Sequence, residues 1–186
     1  MMDGTYGGSQ PDQKDRRAIE GEIQSTRDQK HTANATLDVM NMRKKAAVHQ
    51  HEAAVFFKKY RNEEATAVKL IQKSHKARRI SEEYIQKSKE FESKAAELEV
   101  QFGMYSGAKL EKMRIKKAKF IEKSAKMKMK SAGKQSKAAK LDQKAAEHTA
   151  KSKELLEKSK VNESEAKGYH DRADALEKAI GEQMMH

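Results

Sequence analysis

The residues best equipped for chemistry lie close together. From Lys109 to Lys140 the chain carries Lys109, Lys112, Arg114, Lys116, Lys117, Lys119, Lys123, Lys126, Lys128, Lys130, Lys134, Lys137 and Lys140, opposed only by Glu111 and Glu122. That segment alone is +11, in a chain whose formal net charge is +12. Ammonium groups at this density can displace counterions from phosphates, which gives strong, salt-sensitive, sequence-independent binding to nucleic acid. Reading of bases is not indicated, because Arg114 is the only Arg of the segment and aromatic stacking platforms and paired Asn or Gln readers are almost absent. With Leu110, Met113, Phe120, Ile121 and Met127 on one side, the same segment could lie on anionic lipid as a basic amphipathic helix. It could equally meet an acidic protein surface, or be a solvated face neutralised by the acids of neighbouring subunits.

Other reactive residue types carry less. His31, His49, His51, His75, His148, His170 and His186 never form a Glu-x-x-His or His-x-x-x-His pair. His49 and His51 project about 200° apart on a helix, so a shared metal is not expected. His49 and His148 read as polar residues of a packing seam. Ser-x-x-Lys occurs at Ser106–Lys109 and Ser131–Lys134 without the companion motifs of an acylating serine, in a chain rich in both residues. There is no P-loop, dinucleotide fingerprint or calcium loop, and with no Cys there is no thiolate metal site or cysteine catalysis. No cofactor, metal or catalytic residue is expected, and the chain is read as a non-enzyme.

The elements that must carry these residues follow from periodicity. Alternate steps of four and three from Ala35 visit Val39, Met42, Ala46, His49, Ala53, Phe56, Tyr60, Glu63, Ala67, Leu70, Ser74, Ala77, Ser81, Tyr84, Ser88, Phe91, Ala95, Leu98, Phe102 and Tyr105. After a phase break across Gly103 and Gly107 a second seam runs Leu110, Met113, Lys117, Phe120, Ser124, Met127, Ser131, Lys134, Ala138, Leu141, Ala145, His148, Ser152, Leu155, Ser159, Asn162, Ala166, Tyr169, Ala173, Leu176 and Ile180. Such heptads predict two long helices and an all-α fold. The expected organisation is a flexible N-terminal arm with a short helix over residues 1–30, a first long helix over 31–102, a turn over 103–109 and a second long helix over 110–182. A chain reversal near Ser106 then makes a long antiparallel helical hairpin, coiled-coil-like, with position i facing roughly 215 − i. That register sets large residues against small ones, for example Phe91 against Ser124 and Ser88 against Met127. Each arm would span roughly 105 Å at 1.5 Å per residue.

Composition agrees with a thin core. Apolar residues make up 36% and aromatics 5% of the chain, too few for a compact globular core of this length. A seam rich in Ala and Ser buries little, and further apolar residues one step beyond it, such as Met40, Phe57, Val68, Ile71, Ile85, Ile121 and Leu156, widen the stripe as contact with additional neighbours requires. No apolar run reaches the ~18 residues of a spanning helix, and Met1 to Asp15 lacks a basic and an apolar signal region. The expected setting is intracellular or within a virion, neither secreted nor transmembrane.

The function expected from these features is structural: a helical rod or clamp within a larger complex, such as a virion shell or cytoskeletal lattice, docking on an acidic surface through Lys109–Lys140. Its partners would be other copies or other subunits, with no small-molecule substrate. The alternatives are a sequence-independent nucleic-acid-packaging protein and a peripheral binder of anionic membranes. Glu63, Lys117, Lys134 and Asn162 lower the stability of the seam while penalising wrong registers. Replacing Lys134 by Leu should therefore raise the melting temperature followed by helical circular dichroism; a lower one contradicts this role.

Overall fold

The structure, a computed structural model, describes residues 13–184. It is all-α: helix α1 spans Gln13–Val100, a short 3-10 turn spans Phe102–Met104, and helix α2 spans Gly107–Met184. The two long helices run antiparallel and pack against each other. Ala, Lys, Glu, Gln and Arg supply helix propensity throughout, and no proline follows Pro11. The glycine-rich arm expected over the first ten residues lies outside the described part. Ile19 and Ile23 do not sit on a separate short helix; they belong to the first turns of α1, which continues through Gly21.

The reversal is built from tightening rather than from a left-handed cap on α1. The Gln101 N–H donates to the Leu98 carbonyl at 3.1 Å and the Met104 N–H to the Gln101 carbonyl at 3.0 Å, i→i+3 bonds that tighten the chain as it leaves α1. Tyr105 is extended, at φ −133° and ψ 152°. Gly107, at φ +60°, is the only positive-φ residue among those described, and it opens α2. A side chain at that position would be strained, so the left-handed glycine serves the start of the second helix rather than the end of the first.

The chain divides into two compact units, one made of residues up to Val55 together with Lys158 onward, the other of Phe56–Glu157. In the Phe56–Glu157 unit the fully buried residues are small: Ala67, Ser74, Ser81, Ser88 and Ala95 on α1, and Ser124, Ser131, Ala138, Ala145 and Ser152 on α2, with Ala77 beside them. Each helix thus has one seam column, recurring every seven residues, of almost nothing but Ala and Ser. The large seam residues Phe56, Tyr60, Leu70, Tyr84, Phe91, Leu98, Phe102, Leu110, Met113, Phe120, Met127, Leu141 and Leu155 are all half-buried. The other unit repeats the arrangement with Val39, Ala46, Ala53, Ser159, Ala166 and Ala173 buried, and with Tyr169, Leu176 and Ile180 half-buried.

Cross-helix contacts fix the register. Ser74 donates to the Ala138 carbonyl at 3.2 Å, Ser81 to the Ser131 carbonyl at 3.1 Å, and the Ser88 and Ser124 hydroxyls meet at 2.8 Å. In the other unit Ser159 donates to the Ala53 carbonyl at 3.0 Å. The partners' numbers total 212, against the 215 anticipated. The three-residue difference overturns the large-against-small layers: small faces small, and large faces large, as Phe91 does Phe120 with ring centroids 6.1 Å apart. The reason is steric. Two all-small columns placed face to face let the helix backbones approach until a serine hydroxyl reaches the opposing carbonyl, whereas a Leu or Phe set against either column would hold the helices apart.

This chemistry makes a polar core tolerable. A buried hydroxyl without a partner costs on the order of 1–3 kcal/mol, but no buried side-chain nitrogen or oxygen among the described residues lacks one. Ser81 and Ser131 also join hydroxyl to hydroxyl at 2.6 Å. The chain has no Cys, so the register can be read by cross-linking. Ser88→Cys with Ser124→Cys should oxidise to an intramolecular disulfide in high yield, whereas Ser88→Cys with Met127→Cys, the pair favoured by the 215 register, should not. The reverse preference, read by non-reducing electrophoresis, would refute the small-against-small packing.

Candidate functional site

The Phe56–Glu157 unit holds 27 Lys and Arg against 14 Asp and Glu, or +13, while the remaining residues hold 13 against 14, or −1. Its thirteen basic residues between 109 and 140 do not act as one patch. Helical geometry divides them by their position around α2. Lys109, Lys116, Lys123, Lys130 and Lys137 recur every seven residues immediately before the small column, and all are exposed. Lys112, Lys119, Lys126 and Lys140 lie three residues further on, on the same side and also exposed. Arg114 and Lys128 belong to the opposite edge of the helix pair. Lys117 and Lys134 sit in the seam and are half-buried.

The two edges of the helix pair differ in how charge is matched. On one, Arg78 pairs with Asp142 and Lys128 with Glu92 across the helices, while Arg114 bonds Glu111 along α2 at 2.8 Å. Ser88, Ser124 and Glu92 form a relay there: the Ser124 hydroxyl, 2.8 Å from that of Ser88, donates to Glu92 Oε1 at 3.0 Å. Lys128 and then the Ser124 hydroxyl hold the Glu92 carboxyl below the usual carboxylate range. Asp142 is lowered too, by the Ser74 hydroxyl first and the Arg78 guanidinium second. Between these pairs the edge shows apolar surface, with Phe57, Ile71 and Ile121 at 43%, 39% and 50% exposure. Ala118, Ala125, Ala132, Ala139 and Ala146 form an exposed alanine column beside it on α2.

On the other edge the lysines of α2 meet lysines of α1. Lys59, Lys73, Lys87 and Lys94 precede the small column of α1 and are exposed, and Lys144 and Lys151 continue the α2 row past Lys140. Half-buried aromatic rings lie beneath them. Lys123 Nζ is 5.7 Å from the Phe91 centroid, Lys94 Nζ 5.9 Å from the same ring, Lys130 Nζ 5.8 Å from Tyr84 and Lys59 Nζ 6.0 Å from Phe56. Cation–π attraction and apolar contact of the lysine stems let like charges share this edge. None of the eleven lysines is in an ion pair among the described residues. Charge totals for successive segments hid Lys144 and Lys151, since the residues after Leu141 are net acidic; counting in sevens from Lys109 would have found them.

Of the polar seam residues, Glu63, Lys117, His49, His148 and Asn162 have partners. His148 bonds Glu63, Lys117 pairs with Glu99 at 2.7 Å, and His49 lies 2.9 Å from Asn162 and 3.0 Å from Glu165, stacked on Tyr169 at 5.6 Å. Ser131 is sealed in the seam by its bond to Ser81, leaving no access for a substrate, and Ser106 is an exposed turn residue. Among the described residues no group of His, Asp and Glu could hold a metal ion, and no helix is long and apolar enough to cross a membrane. No family model matches the chain, and neither does any curated protein or solved structure.

The lowered carboxylates give a pH prediction. A depressed folded-state pKa contributes stability that is present above the ordinary carboxylate value and disappears as pH falls through the depressed one. The melting temperature should therefore drop between about pH 5 and pH 2. In the double variant Glu92→Gln, Asp142→Asn the drop should be smaller, as read by circular dichroism, and an unchanged drop would show that neither pair matters.

Proposed function

We propose that the protein is a non-enzymatic helical scaffold within a larger assembly, which docks on an acidic surface through the lysine edge of its Phe56–Glu157 unit. The observation that carries this reading is the two-sidedness of that unit. One edge has its charges internally neutralised and leaves Phe57, Ile71, Ile121 and an alanine column exposed; on the other, eleven lysines form no ion pair among the described residues. Exposed apolar side chains between neutralised charge pairs suit contact with another protein, here other copies or fellow subunits, and unmatched positive charge suits an anionic partner. The work is geometric: small-residue packing together with the polar seam pairs holds the helices in one register and so holds the two edges at a set separation. A Cys-free chain fits an interior setting such as a cell or a virion.

The opposition of the edges also bears on the membrane reading. A helix lying in a bilayer surface needs its basic residues flanking the apolar stripe, where they reach headgroups while the stripe inserts. Here the unmatched lysines and the exposed Ile and Phe residues occupy opposite edges, which disfavours that role.

Sedimentation tests the scaffold reading. The purified chain should form particles larger than a monomer that survive about 0.5 M salt, where surface charge pairs are largely screened. The variant Ile71→Glu, Ile121→Glu should reduce them to smaller species with unchanged helix content. A chain monomeric at every concentration, or particles indifferent to this substitution, would overturn the self-assembling role of the apolar edge.

A further inference from the structure

We infer that the lysine edge is a binding surface for the phosphate backbone of double-stranded nucleic acid, a reading that rests on the docking role proposed above and names its partner. Seven lysines, Lys109, Lys116, Lys123, Lys130, Lys137, Lys144 and Lys151, stand at seven-residue intervals on α2. At the helical rise they are about 10.5 Å apart and the row is roughly 63 Å long. Lys59, Lys73, Lys87 and Lys94 of α1 add a second row across the seam. Within the unit neither column contains a single Asp or Glu; the remaining members of the α1 column are Thr66, Ile80 and Gln101.

This is more than a basic composition. The unit has 14 acidic residues, and among the described residues Glu92, Glu99, Glu111, Glu122 and Asp142 pair with Lys128, Lys117, Arg114, Lys126 and Arg78, all of them cations outside the two rows. Glu83, Glu90, Glu97 and Glu147 stand three residues after row positions, yet none of the row lysines is in an ion pair among the described residues, and Lys94 and Lys123 both approach Phe91. Like charges gathered in this way destabilise the folded chain until a polyanion arrives.

The kind of polyanion follows from the chemistry of the rows. All eleven members are Lys, compact hydrated point charges without the fork of Arg, and no row position offers an aromatic ring, Asn or Arg that could recognise a base or a specific carboxylate. The matching ligand is long, regular in charge and devoid of required side-chain features. Duplex nucleic acid, with one charge per about 1.7 Å of axis, has these properties. An acidic protein surface presents discrete carboxylates among other groups, and a lipid surface would need freely exposed apolar anchors beside the lysines, where Phe56, Tyr84 and Phe91 are instead half-buried and covered by ammonium groups.

The test uses the full chain with two fluorescein-labelled DNA duplexes of about 30 base pairs and unrelated sequence, measured by anisotropy against salt. Equal affinities are expected, with a slope of log K on log salt near −5 for about six neutralised phosphates, or about 10³-fold weaker binding from about 50 to 200 mM. Lys116→Gln, Lys123→Gln, Lys130→Gln and Lys137→Gln together should flatten the slope by about 3 to 4 at unchanged helix content. A control losing the same charge elsewhere, Lys14→Gln, Arg17→Gln, Lys30→Gln and Lys44→Gln, should lose much less. Equal losses in both variants would show a net-charge effect and overturn the assignment. So would absence of duplex binding, or equally tight row-dependent binding to poly-glutamate or to phosphatidylserine vesicles. If the duplexes do not bind while salt-resistant particles persist, the nucleic-acid assignment alone fails; if the duplexes bind and no particle forms, the scaffold reading alone fails.

Discussion

Everything distinctive in this protein descends from one steric constraint: in each unit the helices meet along columns of Ala and Ser. Small residues set face to face allow the backbones close enough for Ser74, Ser81 and Ser159 to hydrogen-bond carbonyls of the opposing helix. The register is thereby fixed by contact distance rather than by the shape of large side chains. A slip of half a heptad would drive Met127 or Phe120 into a serine column and push the helices apart. Hydrophobic burial is modest in such a seam, since each Ala in place of Leu forgoes on the order of 2 kcal/mol or more. Dense backbone packing and satisfied hydroxyl bonds, each worth about 1 kcal/mol net, take over part of that role.

Close approach has a second consequence. With the small columns filling the space between the helices, the large residues have no room at the centre and lie half-exposed at its margins. On one margin the aromatic faces of Phe56, Tyr84 and Phe91 support lysine ammonium groups, and on the other the space is spanned by Arg78–Asp142 and Lys128–Glu92. The difference between the edges is therefore a property of the packing as much as of the charge pattern. A looser seam would bury the aromatic rings and remove the platform on which the lysines rest.

The heptads made the two helices and the reversal readable, because periodicity and glycine placement act locally. The register was not readable in the same way. Large-against-small complementarity is the usual rule for interdigitating helices, and by that rule Phe91 should face Ser124; only the three-dimensional fact that Ser88 and Ser124 can touch reverses it. The fact that Val39, Ala46, Ala53, Ala67, Ser74, Ser81, Ser88 and Ala95 share one column was visible in the seam, yet its meaning depends on the partner column also being small. Clustering of lysine was evident from composition, whereas its sorting into matched and unmatched edges needed the partner helix, since Glu92 and Asp142 select Lys128 and Arg78 across the seam.

The polar seam residues supply the rest of the specificity. Small columns alone are nearly degenerate, because Ala and Ser repeat every seven residues and a slip of a whole heptad would again place small against small. His148 with Glu63, His49 with Asn162 and Lys117 with Glu99 are not degenerate: each pairing occurs once, and a heptad slip would leave half-buried polar groups facing the wrong partners. Close packing thus excludes the half-heptad alternatives and the polar pairs exclude the whole-heptad ones. A surface whose lysines must stand in line with a regular polyanion needs both, since a slip of seven residues would preserve the α2 row but shift it against Lys59, Lys73, Lys87 and Lys94 of α1 by about 10.5 Å.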